Sequence, residues 1–178
     1  ERYTSSLNLE STLTEWLNAS FQIQGNASRR KYNQSEISPM DYAYNTSRAI
    51  PAYDENGKYA YYEKQTGRYY RQYNILNELE NSYTDQHSSG ITVTANLRFG
   101  INSWLNANAI ISYTNSNTEI EGYWGEKTYH VACERGSEYG EAAPSYSTLP
   151  YGGELSTNET RNNSYTARLQ VNADKYFG

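Results

Sequence analysis

Side chains able to do chemistry are sparse and mostly solitary. His130, Cys133 and Glu134 lie close together, but two soft ligands without a second pair fall short of a zinc set, so no metal is expected. Asp54-Glu55-Asn56-Gly57 has the look of a calcium loop fragment. An EF-hand would need another acid two residues before Asp54, where Ala52 stands, so a β-turn around Gly57 is the expected role. His87 has no catalytic company and is expected at the surface. No nucleophile elbow, phosphate loop or pair of carboxylates can be assembled, so the sequence points to neither an enzyme nor a cofactor.

Tyrosine is the dense chemistry. Of 20 Tyr, 11 lie between Tyr32 and Tyr83 and five between Tyr123 and Tyr151. Tyr59, Tyr61, Tyr62, Tyr69, Tyr70 and Trp124 offer flat apolar faces with a hydrogen-bonding tip, suited to stacking on sugar rings. The same rings suit the packing of long loops against one another, or a seam with a partner protein. All three roles stay open from sequence.

The elements that must carry these loops follow from alternation. Odd positions from Leu17 to Ala27 read Leu, Ala, Phe, Ile, Gly, Ala, and even ones read Asn, Ser, Gln, Gln, Asn. Ile91 to Ile101, Leu105 to Tyr113, Tyr165 to Ala173 and, more weakly, Tyr3 to Leu9 repeat the pattern. A period of two marks strands with one apolar and one polar face. Five strands are expected, over about 2–11, 17–28, 89–100, 104–118 and 162–174. Ten residues at roughly 3.3 Å each, tilted by about 45°, cross about 25 Å, the height of an outer-membrane apolar band.

Connections alternate between short and long. Thr12–Glu15 and Gly100–Ser103 are tight links, whereas about 29–88 and 119–161 are long loops that hold all four prolines. Short turns at one end and long loops at the other match outer-membrane barrels. Trp16-Leu17-Asn18-Ala19 recurs as Trp104-Leu105-Asn106-Ala107. Trp16 and Trp104 each stand where a strand leaves a short turn, the place for an interfacial girdle. The polar face, with Gln22, Arg98 and Arg168, is rich in Asn, Gln, Ser and Thr. That composition suits a hydrated lumen, with the apolar face toward lipid.

Runs such as Ala109-Ile110-Ile111 are far shorter than the about 20 apolar residues of a spanning helix. The opening Glu1-Arg2-Tyr3 has no leader pattern. A net charge of -5 argues against nucleic acid. Five strands do not close a barrel, and lipid tolerates no open edge. The 178 residues are therefore expected to be a wall segment of a larger barrel. The competing fold is a soluble or surface-exposed β-sandwich, such as a carbohydrate-binding module, which also alternates. A barrel enzyme is a third, unsupported option.

Ser47-Arg48-Ala49-Ile50-Pro51-Ala52-Tyr53-Asp54-Glu55-Asn56-Gly57-Lys58-Tyr59 resembles a loop of SusC/RagA-type TonB-linked outer-membrane proteins of Bacteroidetes. Tyr73-Asn74-Ile75-Leu76-Asn77-Glu78-Leu79-Glu80-Asn81 resembles that family's stretch before the next strand. The resemblance covers nearly the whole chain. It implies an all-β fold of long antiparallel strands in up-and-down hairpins, part of a transmembrane barrel of 22 strands, with two long external loops. It implies import of glycans or oligopeptides across the outer membrane of a Gram-negative bacterium, with a SusD-like lipoprotein as lid. By that resemblance, coupling to the TonB complex would run through a plug and a TonB box, which with a signal peptide are expected to be missing from these residues. Arg48, with the six aromatic residues above, would then contact substrate or lid.

Overall fold

The computed structural model describes residues 1–67 and 69–175, and side chains for all of these except Thr66 and Tyr69. The structure is mostly β, at 58%, despite three helices of seven residues each among the described residues. No described helix is long and apolar enough to cross a membrane.

Five long strands form one antiparallel up-and-down sheet: β1 (Arg2–Thr14), β2 (Leu17–Tyr32), β5 (Ser82–Asn102), β6 (Leu105–Trp124) and β7 (Glu154–Ala173). Their order in the sheet follows the chain, with β1 and β7 as its outermost strands. The β1–β2 register pairs Tyr3 with Ala27, Leu7 with Ile23 and Leu9 with Phe21. Apolar residues therefore meet apolar ones across the ladder, which pins the register against a one-residue slip. A bulge between Thr12 and Thr14 adjusts the ladder at the tight turn.

β2, β5, β6 and β7 extend past the expected bounds, most of all at their long-loop ends. The extensions read Arg29-Arg30-Lys31-Tyr32, Ser82 to Ser88, Glu119 to Trp124 and Glu154 to Arg161. Alternation of apolar and polar residues fades there, because the pattern records only the stretch where one face is apolar. Backbone pairing continues without it.

Between β2 and β5 lie α1 (Pro39–Asn45), β3 (Tyr62–Thr66), β4 (Tyr69–Tyr73) and α2 (Ile75–Asn81); α3 (Tyr129–Arg135) precedes β7. The long loops thus contain structure of their own. Ser38 caps α1, its Oγ accepting from the Asp41 N–H, with Pro39 in the first turn. Thr128 caps α3 and Gly136, at φ 83°, ends it in the left-handed conformation. β3 and β4 pair antiparallel from Tyr62↔Tyr73 to Thr66↔Tyr69.

The chain divides into two compact units. The first holds 1–30, 87–119 and 159–178, and the second holds 31–86 and 120–158. The second has a buried core of Ile37, Tyr73, Ile75, Trp124 and Val131, with Tyr62, Leu76, Leu79 and Tyr129 packed against it.

Candidate functional site

Two surfaces in the first unit and one hollow in the second concentrate the chemistry. Because side chains alternate along a strand, the first unit has an odd and an even face. Gln22, Arg98 and Arg168 share the even face. Cross-strand hydroxyl pairs run up it: Ser88 with Thr118 (3.2 Å), Thr92 with Thr114 (3.1 Å) and Thr94 with Ser112 (3.0 Å). A hollow of about 450 Å³ on this face is lined by Asn8, Glu10, Ser20, Gln22, Thr94 and Asn96.

Toward the short turns the odd face is apolar, and much of it is exposed. Leu9, Phe21, Ile111, Leu169 and Val171 are between 46% (Phe21) and 73% (Leu169) exposed, while Val93, Leu97, Phe99 and Leu105 are half-buried. Soluble monomers rarely expose contiguous apolar patches beyond a few hundred Å². Trp16 and Trp104 are exposed at the two short turns. Trp16 stacks on Phe99 at 6.3 Å, and the Lys175 ammonium lies 5.1 Å from the Trp104 ring.

In the second unit the organising residue is Asn74, 2% exposed. Its Oδ1 accepts from the N–H groups of Leu76 and Asn77, capping α2. Its Nδ2 donates to the carbonyls of Ala52 and Ala60. One amide thus fastens the 52–60 loop to the helix. Inside that loop the Asp54 carboxylate accepts from the N–H groups of Asn56 and Lys58, both at 2.8 Å, and Gly57 takes φ 76°. This is a turn built as its sequence implies.

Glu78, also 2% exposed, accepts from the Asn77 amide (3.0 Å) and the Tyr129 N–H (2.9 Å). Burial pushes its carboxyl above the ordinary range, partly offset by these hydrogen bonds and the Lys64 ammonium. Lys64 Nζ sits 4.1 Å from the Tyr73 ring and 5.0 Å from the Tyr129 ring. His130 stacks on Trp124 at 4.4 Å. Its Nε2 is 2.9 Å from Glu154 Oε2, and its Nδ1 is 3.6 Å from Glu36 Oε2. Glu36, Lys64, Tyr73, Glu78, Trp124 and His130 line a hollow of about 210 Å³. Burial raises the Cys133 thiol above its ordinary value. Of the described His, Cys, Asp and Glu residues, no three gather as a metal set.

The aromatic residues singled out in the sequence do not form one cluster. Trp124 and Tyr62 are packed into the core, Tyr62 edge-on to Tyr73 at 5.7 Å. Tyr59 donates to Glu80 Oε2 at 2.7 Å, and its phenol is pushed up to about 12, mainly by that hydrogen bond. Tyr61, Tyr70 and Arg48 are exposed. Tyr69 belongs to β4 by its backbone, while its side chain, like all of Arg68, lies outside the described residues.

Four polar residues went unnoticed in the sequence: Asn74, Glu78, Arg135 and Glu154. Arg135 is 2% exposed, with Nη2 3.3 Å from Glu126 Oε1. Asn74 alone had a sequence signal. An Asn directly before Ile75-Leu76, with Leu79 four residues after Ile75, is a helix start. The sequence matches no protein-family model and no curated protein.

Proposed function

We propose that this chain supplies barrel wall and two external loops to a TonB-dependent, SusC-like outer-membrane importer of glycans or oligopeptides. In this reading the first unit spans the membrane, with odd-numbered side chains against acyl chains and Gln22, Arg98 and Arg168 in a hydrated interior. Trp16 and Trp104 mark the periplasmic interface. The second unit is the external part, where Arg48, Tyr59, Tyr61 and Tyr70 would meet substrate or a SusD-like lid. Tyr62 and Trp124 serve by holding the loops in shape.

The observation that carries this is the apolar face, much of it exposed. Burying each Leu, Ile or Phe is worth about 1.5–3 kcal/mol. A β-sandwich gains that energy by covering such a face with a second sheet. Phe21 and Leu169 remain 46% and 73% exposed here, so lipid is the solvent that suits them. Further strands on either side of β1 and β7 would close the ladder, as a bilayer demands.

Accessibility of single spin labels tests the assignment. In a Cys133→Ser background, labels at Leu9, Phe21 and Leu169 should relax with lipid-soluble oxygen. Labels at Gln22, Asn96 and Arg168 should relax with a water-soluble nickel chelate. A chain that is monomeric and cooperatively folded without detergent, with no difference between the two sets, would refute the membrane assignment.

A further inference from the structure

Along the odd face of the first unit, chemistry changes in steps from the short turns toward the loop ends. Trp16 and Trp104 come first, then the exposed aliphatic band. An aromatic step follows, with Tyr113 and Tyr165 at a centroid distance of 5.0 Å. Next to them Tyr113 Oη and Asn115 Nδ2 both donate to Asn163 Oδ1, at 3.0 and 2.7 Å.

Beyond these lies a charged row. The Arg29 N–H donates to the Glu1 carbonyl at 2.9 Å, setting those residues opposite each other. The Asn26 amide lies against Gly90, which places His87 beside Arg29 three residues further along the antiparallel ladder. The Ser88–Thr118 hydroxyl pair sets His87 opposite Glu119. Glu1, Arg29, His87 and Glu119 thus run side by side across four strands. With Tyr3 and Asn117 they line a hollow of about 340 Å³. The Asn117 Oδ1 is buried and has no hydrogen-bond partner.

We propose that this hollow holds the phosphorylated sugar headgroup of an outer-leaflet glycolipid, whose acyl chains continue down the aliphatic band. The proposal rests on the membrane-wall assignment above and adds a specific lipid to it. Arg29 and His87 supply the donors for a phosphate, guanidinium being suited to its paired oxygens. Glu1, Glu119 and the orphan Asn117 oxygen are acceptors for sugar hydroxyl and amide groups. Tyr3 offers a ring face at the border with the acyl chains. A surface for plain anionic phospholipid would be a cluster of Lys and Arg, whereas this row carries both signs. The volume falls in the range of about 300–1,000 Å³ usual for small-ligand sites.

The test uses the full chain in detergent micelles and native mass spectrometry. The competing lipids are a diphosphorylated lipid A, its dephosphorylated form and phosphatidylethanolamine. Lipid A should be retained about tenfold over the other two, the size of one or two charge-assisted hydrogen bonds. Arg29→Gln with His87→Gln should remove that preference, and Glu119→Gln should reduce it. In parallel, quenching of Trp16 and Trp104 by brominated acyl chains reports lipid contact whatever the headgroup. Quenching with no headgroup preference, or a preference unchanged in the variants, overturns the headgroup site and leaves the wall assignment standing. Displacement of lipid A by millimolar inorganic phosphate alone would make the site a free-anion site and also overturn it. Absence of quenching in the unmodified chain removes the wall assignment, and the headgroup site with it.

Discussion

Asn74 makes four hydrogen bonds from a position 2% exposed, two through each end of its amide. Asn74→Ala should cost about 2–3 kcal/mol, combining a lost cap with buried carbonyls left unpaired. Hydrogen exchange should speed up in residues 52–60 as well as in α2. Asn74→Asp keeps the acceptor oxygen and loses the donors, so it should free the loop and spare the helix. Glu78 and Tyr59 respond to pH with signs that can be worked out. Burial raises the Glu78 carboxyl, so its protonated form is the one favoured by folding. Its contribution is fully present below the ordinary glutamate range and is lost as pH rises through the raised folded value. Glu78→Gln should therefore fold at least as stably as the parent at neutral pH, with a flatter stability profile across mildly acidic pH. Glu78→Ala strands the Tyr129 N–H and should cost about 1–3 kcal/mol. Tyr59, raised from 10.0 to about 12 beside Glu80, contributes below its unfolded value and ceases to contribute as pH climbs through about 12. Tyr59→Phe should delete one late-titrating phenol from the tyrosinate absorbance curve.

Strand and helix differ in how plainly the chain announces them. The five sheet strands were legible because residues such as Leu17, Phe21, Ile91, Val93 and Leu169 recur at every second or fourth position. Their loop-side ends were not, since Ser82 to Ser88 pairs as strand with Tyr83 as the sole large apolar residue. The three helices were missed because each has seven residues, too few for a 3.6-residue period to repeat convincingly. Their caps, Ser38, Asn74 and Thr128, were the available signals. Glu154 was illegible as a partner of His130, because 24 residues separate them and only the fold brings the start of β7 against α3. At this scale the glycines beside the strand ends make a sharp prediction. A Cβ on Gly153 would collide with the Trp124 carbonyl, and one on Gly125 would sit 2.7 Å from the Asn81 carbonyl. Both obstacles are backbone, so neither can swing aside. Gly153→Ala and Gly125→Ala should each cost about 1–3 kcal/mol. Loss of the Trp124–His130 stack would show as a red shift in emission, and a Gly140→Ala control meets no atom within 4 Å but sits at φ 87°, so it reports backbone strain alone.

For the molecule as a whole, the two faces of the first unit invert the usual relation between burial and polarity. Asn96 and Asn108 on the even face have side-chain oxygens shielded from solvent without a partner, while Leu169 on the odd face is 73% exposed. In water both features are costly, the first through unmet hydrogen bonds and the second through unburied apolar area. Placing lipid on the odd side and ordered water on the even side relieves both at once. That exchange of solvents predicts a directional response to charge. With the odd face in lipid as proposed, Ile111→Arg, in the aliphatic band of β6, should destabilise the fold in vesicles by about 2–4 kcal/mol. Ser112→Arg, the next residue on the opposite face, should cost well under half as much, because its guanidinium enters water. Denaturant titrations of each variant in vesicles, followed by Trp emission, would give the two values. Equal costs at 111 and 112 would mean that both faces meet the same solvent, and the lipid-facing assignment of the odd residues would fall.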